Sequence, residues 1–162
     1  MQVSAPADMS VKQGLLAEIR AELRAAFERL SRAASEAHAA ATDPGSKAEG
    51  KYDTRSLEAS YLAAGQARQV DELAAAVRTF DALSLPDFEM EDEIDAGALV
   101  EVETNDESAW YLLVPASGGT VVSHDGLEIT LLTPASTLYQ KLVGMRRGES
   151  LDQPALTVTE VM

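Results

Sequence analysis

From Val11 to about Ala41 the apolar residues recur at alternating steps of three and four: Leu16, Ile19, Leu23, Ala26, Leu30, Ala33, Ala37 and Ala40. This spacing is that of a coiled-coil seam. A second run, from about Thr54 to Leu83, steps in the same way through Ala63, Gln66, Val70, Leu73, Val77, Phe80 and Leu83, with Leu57, Tyr61 and Leu62 near its start. Each run would span on the order of 45 Å as a helix. Two such helices joined by a short connection must lie antiparallel, so the pattern predicts a helical hairpin. Large residues occupy the proximal seam and alanines the distal one, which predicts a hairpin that narrows toward its loop. Alanine burial contributes little, so helix propensity has to carry the distal half. Two helices alone are marginal, and the rest of the chain is expected to anchor their open end.

The stretch SLPDFEMEDE that follows has a proline, a carboxylate cluster and no sustained period, and it reads as a linker. Beyond it the apolar period changes from helical to alternating. Strands are predicted at 98–103, 110–114, 120–122, 127–132 and 155–161, separated by the turn signals Asn105-Asp106, Ser117-Gly118-Gly119 and Asp125-Gly126. One short amphipathic helix is predicted from Ser136 to Val143, ended by Gly144. The expected organisation is a helical hairpin over 1–84 with a tip loop at 42–53, a linker at 85–93, and a small α+β domain over 94–162.

Charge separates these parts further. Residues 1–84 carry 10 basic against 12 acidic side chains, and residues 85–162 carry 3 against 15, out of a net charge of −14. So acidic a second half repels phosphate backbones, which argues against independent DNA binding and for either a basic protein partner or simple solubility. The absence of cysteine excludes disulfides, thiol catalysis and Cys-type zinc sites. There is no apolar run long enough to cross a bilayer and no secretory pattern at the start, so a cytoplasmic location is expected.

Conventional catalytic constellations are poorly represented. The two histidines, His38 and His124, fall in an alanine-rich helix and a predicted turn, and both read as incidental to catalysis. The Ser117-Gly118-Gly119 segment lacks the lysine and spacing of a phosphate loop. The tip segment DPGSKAEGKYD differs because of where it lies. Asp43, Glu49 and Asp53 crowd one short loop at the far end of the predicted hairpin. Such carboxylates suit Mg²⁺, which takes one or two protein carboxylates and keeps waters. A slender arm of this kind delivers acids into a cavity of another macromolecule. The competing reading is a solvated turn whose acids favour the start of the second helix, with Asp53 or Thr54 as its N-cap.

The order of parts, together with the segment SHDGLEITLLTPASTLYQKLVGMRRGESL, resembles the bacterial Gre transcript-cleavage factors. In that family a strand leads to Ser-Pro-Leu opening a short helix, then Leu-(Ile/Leu)-Gly-Lys, then a Gly-Asp/Glu turn. Ser136, Leu138, Leu142, Gly144, Gly148 and Glu149 fill those places, while Thr137 replaces the proline and Met145 the lysine. At the tip, KAEGKYD is similar to the latter part of the family pattern Asp-x-x-Glu-Asn-x-(Asp/Glu)-Tyr, with Glu49 at the glutamate and Gly50 at the asparagine. The resemblance implies a globular domain similar in fold to FK506-binding proteins, an antiparallel sheet with one short helix. It implies docking through Ser136, Thr137 and Leu138 at the secondary channel of RNA polymerase, probed by a monomer. The hairpin would place Glu49, with Asp43 or Asp53, beside the polymerase's Mg²⁺. On this resemblance the chain is no enzyme and has no cofactor of its own, but stimulates cleavage of backtracked RNA, or else occupies the channel as a regulator without cleavage. Two further expectations stay open: a prolyl isomerase, disfavoured because the second half offers few aromatics (Trp110, Tyr111 and Tyr139), and a hairpin that forms half of an intermolecular bundle.

Overall fold

The structure, a computed structural model, describes residues 7–42 and 55–162. It is an α+β chain in the order α1 (Ala7–Thr42), α2 (Arg55–Ala82), β1 (Leu99–Thr104), β2 (Glu107–Leu113), β3 (Val121–His124), β4 (Leu127–Leu132), α3 (Thr137–Leu142), β5 (Ser150–Asp152) and β6 (Ala155–Val161). The two long helices lie where the seam periodicity put them. Two compact units are formed, Arg20–Asp81 and Met1–Ile19 with Ala82–Met162. The boundary falls inside α1, at a point where the heptad-like spacing runs on without a break.

Within Arg20–Asp81 the helices run antiparallel. Arg20 Nε donates to the Phe80 carbonyl at 2.8 Å, and Arg24 Nη2 meets Asp81 Oδ1 at 2.8 Å. Farther along, Ser31, Ala34, Ser35 and His38 of α1 face Asp71, Ala67, Ala63 and Ser60 of α2. Among the described residues of this unit only Leu23, Ala76 and Phe80 are buried. The expected narrowing is absent, because the distal alanines line an open cleft of about 610 Å³ instead of closing on one another. The physical reason is side-chain length. Methyl groups are too short to fill the space between two helices that longer side chains would fill, so the alanine seam leaves a cleft.

The other unit is built on one six-stranded sheet with strand order β3-β4-β2-β1-β6-β5. Two hairpins have two-residue turns with left-handed backbone at both positions, Asn105-Asp106 between β1 and β2 and Asp125-Gly126 between β3 and β4. That conformation matches the twist of paired strands, and Asn, Asp and Gly tolerate it. The sheet is mixed and not antiparallel throughout, because β2 and β4 pair in parallel, Trp110 opposite Ile129 through Leu113 opposite Leu132. The chain leaves β2 through 114–120, builds β3 on the outside, and turns tightly back so that β4 inserts between β3 and β2. A sixth strand, β5, is additional to those expected; its three residues are too few to show alternation.

Successive side chains of a strand point to opposite faces. One face carries Val100, Val102, Leu113, Leu132, Leu156, Val158 and Val161, which pack with Ile94, Leu142 and Met145. The opposite face carries Leu99, Leu112, Ile129 and Leu131, each at most 2% exposed. The start of α1 belongs to this unit and is tied to its sheet and its connecting segment. Lys12 Nζ donates to the carbonyls of Pro86 (2.6 Å) and Met162 (2.8 Å) and sits 4.8 Å above the Phe88 ring. Lys12 is 2% exposed, and two carbonyl acceptors and an aromatic face offset the cost of burying its ammonium. Gly97, at φ +89°, leaves room that a Cβ would take from Pro86 Cδ, only 2.5 Å away. A glycine is therefore required where the segment after α2 crosses the entry to β1.

Candidate partner-docking site

Ser136, Thr137 and Leu138, the predicted docking residues, open α3. Ser136 has extended backbone (φ −76°, ψ 132°), and its hydroxyl accepts from the Tyr139 N–H at 3.5 Å, so it is the N-cap of α3, one residue before the helix and not its first residue as expected. Its own N–H donates to the Thr133 carbonyl at 2.8 Å, which folds the Thr133–Ser136 segment against the end of β4. Thr137 is exposed. Leu138 and Tyr139 are half-buried and pack on the core of this sheet face, so the helix presents Thr137 outward and holds itself down by the next two residues. The Tyr139 phenol is pushed above its ordinary value of 10.0, by burial first and by the negative charge of Asp95 second.

At its other end α3 is closed by Val143, whose N–H donates to the Tyr139 carbonyl, and by Gly144 at φ +88°. The Gly144 N–H donates to the Ile94 carbonyl at 2.8 Å, and the Ile94 N–H to the Met145 carbonyl at 2.8 Å. This pair of bonds staples the end of the connecting segment to α3. Met145 is 7% exposed and part of the core, which accounts for an apolar side chain there. Lys141 Nζ donates to the Gln153 carbonyl and ties α3 to the β5–β6 turn.

Beside this helix end lies a cluster of acidic side chains. Asp87, Glu91, Asp92, Glu93 and Asp95 line a shallow cleft of about 480 Å³ with Arg146. Arg146 Nη2 pairs with Glu93 Oε1 at 3.0 Å, and Arg147 Nη1 approaches the Met90 sulfur at 3.1 Å. Two basic groups against five carboxylates leave the surface negative, and Met90 stands 58% exposed within it. An acidic surface with an apolar point suits a basic protein segment and repels nucleic acid.

Asp43, Glu49 and Asp53, the candidate tip acids, lie outside the described residues, as do Lys47 and Lys51. Among the described residues no three His, Cys, Asp or Glu side chains converge closely enough to hold a metal ion. No helix among them is long and apolar enough to cross a membrane. His38 lines the distal cleft of the hairpin. His124 differs from the sequence reading in being the last residue of β3 and not a turn residue. Its Nδ1 lies 3.0 Å from Glu18 Oε1 and its Nε2 3.4 Å from Asp125 Oδ2, with Gly14 leaving space for the ring. Neither this contact nor the Lys12 anchor has a local sequence signal, since the partners are far apart along the chain.

No protein-family model and no curated protein matches the chain. Among solved structures it is similar to GreA factor homolog 1 (Gfh1) of Thermus thermophilus, with 21% identity over 88% of this chain and 94% of that one and a TM-score of 0.35. It is similar to Thermus aquaticus Gfh1, with 20% identity over 86% and 91% and a TM-score of 0.35. A third structure, of the transcription factor Gfh1, shows 19% identity over 88% and 92% and a TM-score of 0.36.

Proposed function

We propose that the protein is a Gre-like transcription elongation factor that binds bacterial RNA polymerase at its secondary channel and acts on the polymerase's own catalytic centre. The observation that carries this reading is a combination of parts. An antiparallel pair of long helices is joined in sequence by a short segment containing Asp43, Glu49 and Asp53, and a separate acidic unit presents a Ser136-capped helix in the family's pattern. The charge-balanced hairpin is the element that enters a confined channel, and the acidic unit the element that docks outside it. Glu49, with Asp43 or Asp53, supplies carboxylate oxygens to the polymerase's Mg²⁺, the ion that activates water for hydrolysis of backtracked RNA. The protein works as a monomer without a cofactor of its own and is not itself an enzyme. The cytoplasm, where transcription takes place, is its proposed location.

A second reading is favoured by the tip sequence. Gly50 stands where the family has asparagine, and Ser46 stands three residues before Glu49 where it has aspartate. A tip lacking one of two metal-holding acids occupies the channel and regulates the polymerase without stimulating cleavage. Backtracked transcription complexes separate the two. Shortened transcripts that appear with this protein and are lost with Glu49→Ala support delivery of carboxylates. Elongation slowed equally by the parent and the variant, with no shortened RNA, supports occupancy alone. If elongation, cleavage and polymerase binding are all unaffected, both readings fail.

A further inference from the structure

Met90 pairs a reactive atom with a neighbour that suits its oxidised form better than its reduced one. It stands 58% exposed in the connecting segment and lines a cleft of about 540 Å³ together with Glu91, Arg146 and Arg147. The turn that carries it is closed by two hydrogen bonds, from the Asp92 N–H to the Glu89 carbonyl at 3.0 Å and from the Glu89 N–H to Asp92 Oδ2 at 2.8 Å. Arg147 spans from β6 to this turn: its Nε donates to the Thr159 carbonyl at 3.0 Å, while its Nη1 lies 3.1 Å from the Met90 sulfur. A thioether is a weak acceptor, so a charged donor is poorly matched there. Met145, by contrast, is 7% exposed and packed in the core, where a peroxide does not reach it.

We propose that Met90 is a site of reversible oxidation by peroxides, and that Arg147 latches the sulfoxide so formed. The sulfur lone pair that Arg147 does not occupy attacks the hydroxyl oxygen of hydrogen peroxide or an alkyl hydroperoxide, so that an S–O bond forms and the O–O bond breaks. The proton of the transferred hydroxyl passes to the departing oxygen, which leaves as water or an alcohol. Sulfur loses two electrons and the peroxide gains them. The new oxygen accepts far more strongly than sulfur, and rotation about the unbranched side chain brings it onto Arg147 Nη1 as a charge-assisted hydrogen bond. Because Arg147 is already tied to β6 through the Thr159 carbonyl, this bond fastens the Glu89–Asp92 turn to the sheet. The apolar point of the acidic surface becomes polar in the same step. Methionine sulfoxide reductases reverse the change, so the latch opens again. Nothing in this depends on the function proposed above.

Treatment of the full chain with hydrogen peroxide, followed in time by peptide mass mapping, tests the first half. Met90 should gain one oxygen at least about tenfold faster than Met145, since susceptibility follows exposure. Hydrogen exchange before and after oxidation tests the second half. The amides of Glu89 and Asp92 should exchange about fivefold or more slowly in the oxidised protein, because a charge-assisted bond then holds their turn. Arg147→Ala should still be oxidised at Met90 but should lose this slowing. In Met90→Leu, peroxide should leave exchange at the two amides unchanged, which separates Met90 from oxidation elsewhere in the chain. Both positions are exposed, and circular dichroism should show both variants folded. Oxidation of Met90 no faster than that of Met145 overturns the proposal. So does exchange that is unchanged or faster in the oxidised parent, or a slowing that survives in Arg147→Ala or in Met90→Leu.

Discussion

The two compact units are stable for different reasons. In the sheet unit, Val100, Leu112, Leu113, Leu131 and Val158 lose all contact with solvent, and buried side chains lie on both faces of the sheet. In the Arg20–Asp81 unit, burial among the described residues stops at Leu23 on α1 and at Ala76 and Phe80 on α2, and beyond them the helices border an open cleft. One unit is held by packing between distant segments, the other, over its distal half, by the intrinsic helicity of alanine. The contrast teaches where change is tolerated. An arm whose distal stability is local can vary its exposed faces and its loop without disturbing the unit that the sheet organises.

Substitution at the sheet should break this comparison most readily. Leu112→Ala is expected to cost about 2–5 kcal/mol in denaturant unfolding, the range for a fully buried leucine whose cavity cannot collapse. A cost below about 1 kcal/mol would show that the sheet is not close-packed as described. Lys12→Met comes next. It keeps the aliphatic stem but leaves the Pro86 and Met162 carbonyls without their charged donor, at about 1–3 kcal/mol. Hydrogen exchange should locate the loosening at the start of α1 and in the segment around Pro86.

Smaller effects sharpen the contrast on the hairpin side. Ala67→Gly should cost about 1 kcal/mol through propensity alone. Ala67→Leu should cost nothing and gain stability by filling the cleft, which thermal melts of the two variants would show. A leucine that destabilises there as it would in a packed core would mean the cleft is closed in solution. The least effect belongs to Asp81→Asn, which removes the Arg24–Asp81 pair. With side chains 60% and 38% exposed, that pair is worth under about 0.5 kcal/mol, and 1 M salt should abolish the difference.

Much of the fold is legible along the chain because it follows from local rules. The seam of α1 and α2, the paired turns at Asn105-Asp106 and Asp125-Gly126, and the Ser136 cap with Gly144 closing α3 all depend on residues within a few positions of one another. The parallel pairing of β2 with β4 is not legible. It depends on where the chain goes after Val114, and alternation looks the same in either strand direction. The open distal cleft was hidden for a similar reason. Alanine at seam positions shows that helices can come close, but the spacing along the chain does not say that they do. Of the candidate site, the α3 residues were readable by pattern. Arg146 and the acid-lined cleft were not, since Arg146 reaches Glu93 only through the Ile94 staple between the connecting segment and α3.

By itself, then, the sequence determined the two long helices, the acidic α+β unit, the short capped helix and the crowding of Asp43, Glu49 and Asp53 into one connection. These follow from periodicity, capping chemistry and charge, which act between near neighbours. Tertiary structure alone decided the mixed sheet, the burial of Lys12 beneath two carbonyls and the Phe88 ring, and the His124–Glu18 contact. Each of these depends on which distant segment occupies, or leaves empty, the few ångströms around a side chain, and no spacing along the chain encodes that distance.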